Sequence, residues 1–213
     1  MVTKTNLEYW VTATVNPSPA YASWYKEEER YLRSQVKKDT KVLDVACGDG
    51  RNLLQIKDLT KNLYGLDHDL IAEKAFNKNF PNKEAKFVLS EAEKMPFDDN
   101  YFDMVFCCGS FCNFGDHKIT ILKEMKRVLK KDGIMILSIY SENAFKERME
   151  LYKRHKTPIL KVEGTTVYFD PGLGDTISEQ FSKQDLENIF KEAGLNIIDL
   201  KELEISYLVT LRK

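Results

Sequence analysis

The chain has 213 residues, enough for one large domain or a core domain with an appended cap. Hydrophobic residues make up 43% and charged residues 31%, and the formal net charge of −1 offers no general attraction for nucleic acid or an anionic membrane. No apolar run is long enough to span a membrane, the first residues lack the layout of a signal peptide, and Cys107, Cys108 and Cys112 crowd together apart from Cys47, a poor disulfide framework, so reduced thiols in a cytoplasm are expected.

Residues 1–38 hold Tyr9, Trp10, Tyr21, Trp24 and Tyr25. From about Ala20 the spacing Tyr21, Tyr25, Glu28, Leu32, Val36 predicts a helix with one mostly apolar face, and Pro17 and Pro19 stand just before it. Two roles fit these aromatics: packing on the core, or an N-terminal helical lid that shields a bound ligand.

The stretch Lys41-Val42-Leu43-Asp44-Val45-Ala46-Cys47-Gly48-Asp49-Gly50-Arg51-Asn52 organises the chain. It opens as a buried strand, turns at Gly48 and Gly50, and runs into Leu53-Leu54-Gln55-Ile56, which reads as a helix. A strand, a glycine turn and a helix start form a cradle for a small polar ligand, because glycine lets the backbone approach and the first helical N–H groups are unpaired. Asp44 is the odd residue, since a buried carboxylate is costly without a cation or hydrogen-bond donors.

A second strand, Asn62–Asp67, ends in an acid 19 residues beyond Gly48, the separation that places a carboxylate on ribose hydroxyls in a βαβ unit. Asp69 is better placed to cap the following helix, Leu70–Asn77. Further strands are expected at Ala85–Leu89 and Tyr101–Ser110, with the loop Ser90–Phe97 and a turn at Asp98–Asn100 between them. Helical spacing covers His117–Lys131, with Gly133 as its stop, and Ile134–Tyr140 is a fifth, strongly apolar strand.

Residues 141–181 break the rhythm and read as an insertion, a substrate cap. Charged residues dominate 142–156, and Thr165–Phe169 reads as a strand entering a turn at 170–172. Ser182 and Asp185 form a helix start leading to Ala193 and Gly194. Asn196–Leu200 and Ile205–Leu211 close the chain as an antiparallel pair, since the four residues between them cannot carry a parallel crossover. Strands alternating with helices predict an α/β fold with a parallel sheet and helices on both faces. The core domain is then 39–140 with 182–213, flanked by 1–38 and 141–181.

These residues resemble the class I S-adenosylmethionine-dependent methyltransferases, especially the small members without extra domains. Val42–Gly50 is similar to that family's glycine motif, Asp67 to the acid ending its second strand, and Glu91–Phe97 with Phe102-Asp103 to the signature around its fourth strand. Arg127–Gly133 resembles its run into the fifth strand. The likeness is close over roughly 40–140 and one of pattern alone over 182–213. It implies a doubly wound Rossmann-like sheet of seven strands, mostly parallel with an antiparallel last strand.

A nicotinamide dinucleotide fits the residues less well. Its fingerprint requires a third glycine where Leu53 stands, and a pyrophosphate gains nothing from Asp44, whereas the ammonium of a methionine moiety does. The resemblance implies S-adenosylmethionine as cofactor and S-adenosylhomocysteine as product. Asp44 then meets the ammonium directly or through water, Ala46, Cys47, Gly48, Gly50 and Asn52 admit the amino-acid part, and Asp67 takes the ribose. Glu91 and the Ala92 backbone take the adenine, whose faces His68 and Met95 flank, while Cys107, Cys108 and Gly109 lie beside the sulfonium. Glu91 stands where the family more often has Asp, which shifts the adenine contact without removing it.

Because such a cofactor carries its own electrophile, the protein mainly orients the partners and keeps the site dry, and no catalytic triad is required. His117 and Tyr140, with Asp116, are candidate general bases, although a His at a helix start also caps or pairs locally. Cys107 and Cys108 lie on opposite faces of a strand with no second ligand pair at metal spacing, so the thiols read as packing groups, with no metal expected.

Cys108-Gly109-Ser110-Phe111 is unlike the Pro-Pro-Tyr motif of base-amino methyltransferases, and no basic domain is appended. The expected acceptor is a small molecule with an N, O or C nucleophile, walled by Tyr21, Tyr25, Phe111, Asn113, Tyr140, Tyr168 and Phe169, in a monomer or homodimer. Two rivals are a protein that binds the cofactor without transferring methyl, and an aminopropyltransferase-like relative with a more acidic amine pocket.

Overall fold

A computed structural model describes residues 14–173 and 177–213; Tyr9 and Trp10 lie outside them. Seven strands form one sheet in the order β3-β2-β1-β4-β5-β10-β9. They are β1 (Val42–Val45), β2 (Leu63–Asp67), β3 (Ala85–Leu89), β4 (Phe102–Cys108), β5 (Leu129–Tyr140), β9 (Asn196–Glu202) and β10 (Ser206–Arg212). β1 to β5 run parallel, and β10 inserts antiparallel between β5 and β9. The expected sheet is therefore observed, with the short closing link producing the antiparallel strand.

Alternation along the strands divides the core in two. Leu43, Val45, Val105, Leu137 and Ile139 face one cluster, which also holds Leu122 and Met125 of α4 (Lys118–Val128) and Leu186 and Phe190 of α6 (Lys183–Glu192). Val42, Met104, Phe106 and Ile136 face the other, shared with Leu53 of α2 (Arg51–Leu54) and Phe76 of α3 (Leu70–Asn79). The α1 helix (Pro19–Gln35) serves both, sending Tyr21 and Trp24 to the first cluster and Leu32 to the second. Asp69 caps α3 by accepting from the Ile71 N–H at 2.8 Å, and Ser182 and Asp185 form a reciprocal capping box on α6.

Three local expectations need correction. The helix after the glycine turn is a single turn, Arg51–Leu54. The helix before β5 ends at Val128, because Leu129 is already extended and starts the strand beside Phe102. Gly133 is then no helix stop but a strand residue, where a Cβ would stand 2.6 Å from Leu129 and 2.8 Å from the Asp103 carbonyl. In the 141–181 segment the structure has more than the one expected strand. The α5 helix (Phe145–His155) precedes a three-stranded antiparallel sheet of β6 (Ile159–Glu163), β7 (Thr166–Phe169) and β8 (Ile177–Ser178). Most of β6 is exposed, so burial leaves no clear period-two signature in its sequence. A bridge between Ser141 and Phe181 closes the two ends of this segment.

Candidate active site

A cavity of about 400 Å³ opens at the carboxyl ends of β1, β2, β4 and β5, where a doubly wound sheet binds its ligands. Its floor is the turn after β1. Ala46, Gly48 and Gly50 all have left-handed backbone, at φ of 57°, 53° and 78°. For Ala46 that conformation carries strain on the order of 1 kcal/mol, held by the turn around it. The Asp67 carboxylate shapes this turn, accepting from the Gly48 N–H at 2.8 Å and the Asp69 N–H at 3.0 Å. Each oxygen retains a lone pair for a ligand hydroxyl.

The two glycines of the turn do different work. Gly48 lines the cavity, whereas a Cβ on Gly50 would stand 2.7 Å from the rings of Phe76 and Phe80, so Gly50 serves packing beneath α3. Asp44 also lies outside the cavity wall. It is buried, its Oδ2 has no hydrogen-bond partner among the described residues, and burial holds its carboxyl well above the ordinary range, only partly opposed by the Arg51 charge. An orphaned carboxyl oxygen two residues before a ligand-facing turn fits a cationic ligand group.

Arg51 and Glu28 were not foreseen. Glu28 of α1 is buried and accepts from the Arg51 guanidinium at 3.2 Å, and the Tyr25 ring lies 4.6 Å from that guanidinium. All three residues line the cavity.

At the rim over β2 and β3, His68 and Glu91 approach to 4.0 Å, both exposed, and Ala92 joins them in the wall. Met95 does not reach the cavity. It is buried under the loop, which Arg127 of α4 pins by donating to the Met95 carbonyl at 2.8 Å and the Phe97 carbonyl at 2.7 Å.

Over β4 and β5 the wall changes character. Cys108, Gly109, Asn113 and Tyr140 line it with Cys47 and Asn52, while Cys107 points to the other core cluster, as an adjacent strand position must. Burial pushes the Cys47, Cys107 and Cys108 thiols well up, so they are neutral packing groups. Tyr21 and Phe111 are core residues behind the wall: Tyr21 bonds Tyr140 hydroxyl to hydroxyl at 3.0 Å, and Phe111 packs on Phe181 and Phe190. Tyr168 stays outside, its ring 4.3 Å from the Lys161 ammonium, and Phe169 packs on Tyr152 instead. Trp24, one of the N-terminal aromatics, completes this end with Tyr152 and Ser178, and the last two had no local sequence signal.

The two candidate bases part company. Burial pushes the Tyr140 phenol well above its ordinary value, which keeps it a neutral donor or acceptor. His117 stands at the rim, largely exposed, with Nδ1 3.0 Å from Glu93 Oε1.

Known proteins share this architecture. The family model described as "Methyltransferase domain" matches residues 43–137. A demethylmenaquinone methyltransferase from Staphylococcus aureus is 30% identical over 182 residues, covering 79% of this chain and 75% of the relative. Among solved structures, a Pyrococcus horikoshii protein is 24% identical over 94% of both chains with a TM-score of 0.69. A Burkholderia thailandensis 1,6-didemethyltoxoflavin-N1-methyltransferase, solved with that compound and S-adenosylhomocysteine, is 14% identical, covers 97% of this chain and 86% of its own, and has a TM-score of 0.70. With the left-handed glycine turn, the acid at the end of β2 and the orphaned Asp44 oxygen all suited to its cofactor, this chain belongs to the class I S-adenosylmethionine-dependent methyltransferases.

Proposed function

We propose that this enzyme moves the methyl group to a nitrogen, oxygen or carbon nucleophile of a small molecule seated over β4 and β5. One observation carries the reading: the wall there is built from Trp24, Tyr25, Phe114, Tyr140, Leu151 and Tyr152, an aromatic, apolar enclosure suited to a compact acceptor. The Staphylococcus and Burkholderia proteins are named for small-molecule acceptors, which supports the same class. No helix among the described residues is long and apolar enough to cross a membrane.

At the cofactor end, Asp44 meets the ammonium directly or through water, with the Gly48 and Cys47 backbone and Asn52 beside the amino-acid part. Asp67 takes the ribose, Glu91 and the Ala92 backbone the adenine edge, and His68 one adenine face. Met95 and Arg127 support that loop from below. The cofactor, when bound, supplies an electrophilic sulfonium methyl; the protein orients the nucleophile and excludes water. Small Gly109 and Cys108 at the end of β4 leave room for the line of attack. His117, paired with Glu93, is the residue placed to accept a proton at the rim, and Tyr140 orients the acceptor as a neutral phenol.

The rival aminopropyl reading predicts carboxylates around the acceptor. Glu28 of α1 lines the cavity but is paired with Arg51, and Tyr140, Leu151, Tyr152 and Ser178, the wall contributed by β5 and the insertion, add no carboxylate. Calorimetric titration with S-adenosylmethionine, S-adenosylhomocysteine and NAD, followed by a transfer screen with labelled S-adenosylmethionine over metabolite pools, tests the proposal. Tight binding of the first two and label in a small molecule are expected. Binding of NAD alone, or cofactor binding with no acceptor in any pool, would sink it.

A further inference from the structure

Arg148 of α5 is fully buried, yet no carboxylate pairs with it among the described residues. Its acceptors are all neutral. Nη1 donates to the Thr165 carbonyl at 3.1 Å and Gln180 Oε1 at 2.9 Å, and Nη2 donates to the Ser178 carbonyl at 2.6 Å and Ser178 Oγ at 2.8 Å. Nε has no partner among the described residues. The guanidinium carbon lies 5.1 Å from the centre of the Tyr140 ring and 6.0 Å from that of Tyr152. The groups that face it are Tyr140 from β5, Tyr152 from its own helix, Ser178 from β8 and the Cys112 thiol, none of them anionic when protonated. Burying a cation against neutral groups alone is costly, so the fold retains a positive charge here that no group among the described residues neutralises.

That charge lies one layer behind the acceptor wall. Tyr140, Tyr152 and Ser178 line the cavity, and Ser178 Oγ accepts from both Arg148 and the Tyr152 hydroxyl, the latter at 2.9 Å. A hydroxyl has two lone pairs and one proton. With both lone pairs occupied, the Ser178 proton is the group left to donate to a ligand, backed by a guanidinium. The guanidinium that does line the cavity, that of Arg51, already has Glu28.

Resting on the small-molecule reading above, we infer that the acceptor binds with an ionised oxygen, a phenolate, enolate or carboxylate, facing Ser178, and that Arg148 is the specificity-determining residue. An acidic hydroxyl held this way meets the methyl donor already deprotonated, which needs no strong base in the wall. Amine acceptors in their cationic form are disfavoured by the same charge.

The probes are 4-nitrophenol and 4-nitrobenzoate as the two oxyanion sources, and 4-nitroaniline as a neutral analogue of similar shape. Each is titrated into the whole protein saturated with S-adenosylhomocysteine. At least one oxyanion is expected to bind tenfold or more tighter than 4-nitroaniline. If 4-nitrophenol is that probe, its ionisation, followed by absorbance, should shift down by about one pH unit on binding, the same tenfold preference. Arg148→Gln should abolish the preference, and Ser178→Ala, a smaller change that guards against misfolding of the first variant, should reduce it several-fold. Equal or tighter binding of 4-nitroaniline, no binding of either oxyanion, or an unchanged preference in Ser178→Ala would overturn the inference. Failure of S-adenosylhomocysteine itself to bind would instead overturn the methyltransferase reading beneath it.

Discussion

The buried Glu28 carboxylate of α1 accepts a hydrogen bond from the Arg51 guanidinium at 3.2 Å, joining the N-terminal helix to the residue that follows the glycine turn. Removing the acid leaves a guanidinium only 30% exposed without its anion. Glu28→Ala should therefore cost about 2 kcal/mol, less than a fully buried pair would. The expected reading is a melting temperature lower by roughly 4–8 °C. Glu28→Gln, which keeps an acceptor oxygen, should lose less; equal losses would show that charge plays no part.

The glycines separate by what surrounds them. Gly50→Ala meets both left-handed strain and the Phe76 and Phe80 rings at 2.7 Å, and should cost about 2 kcal/mol or more. Gly109→Ala meets the same kind of strain, at φ 81°, with nothing within 4 Å of the added carbon, and should cost about 1 kcal/mol. Urea unfolding of the two variants checks the order.

Asp44 couples stability to pH. Burial raises its carboxyl in the folded state, so the unfolded chain ionises first and stability falls as pH rises above about 4, the ordinary Asp value. Asp44→Asn removes that penalty and should raise stability at neutral pH by on the order of 1 kcal/mol, with a flatter profile between pH 4 and 7. The same variant should bind S-adenosylhomocysteine at least tenfold more weakly, about 1.4 kcal/mol. Thermal melts across pH with parallel calorimetry measure both, and unchanged affinity would remove Asp44 from the site.

Asp67 holds the glycine turn through the Gly48 N–H as well as facing the cavity. Asp67→Ala and Gly48→Val should each weaken S-adenosylhomocysteine by tenfold or more, roughly 1.4 kcal/mol. In Asp67→Ala, amide exchange at Gly48 and Asp69 should also quicken, since both N–H groups lose their acceptor. Protection unchanged at both positions would show that the carboxylate does not order the turn.

The amino-acid order by itself determined the parts whose causes are local. A continuous apolar strand, two glycines and an acid 19 residues on are short-range patterns that mark the turn and Asp67, and the alternation of strands with helices sufficed for the parallel sheet, whereas Glu91 is reached only through the family resemblance. The four-residue link before the last strand likewise required the antiparallel β10. Only the tertiary structure separated Gly48 from Gly50, because the difference is whether Phe76 and Phe80, from a later helix, stand over the added carbon. It also moved Tyr21, Phe111, Met95 and Tyr168 off the cavity wall, since spacing shows that a face is buried but not what lies against it. Arg148 is the extreme case. It sits unmarked among the charges of 142–156, yet its partners are Ser178 and Gln180, 30 and 32 residues away, and only the folded 141–181 segment brings them around it. Burial and long-range contact decide whether a charge is surface decoration or part of a site, and neither is written in a local window of sequence.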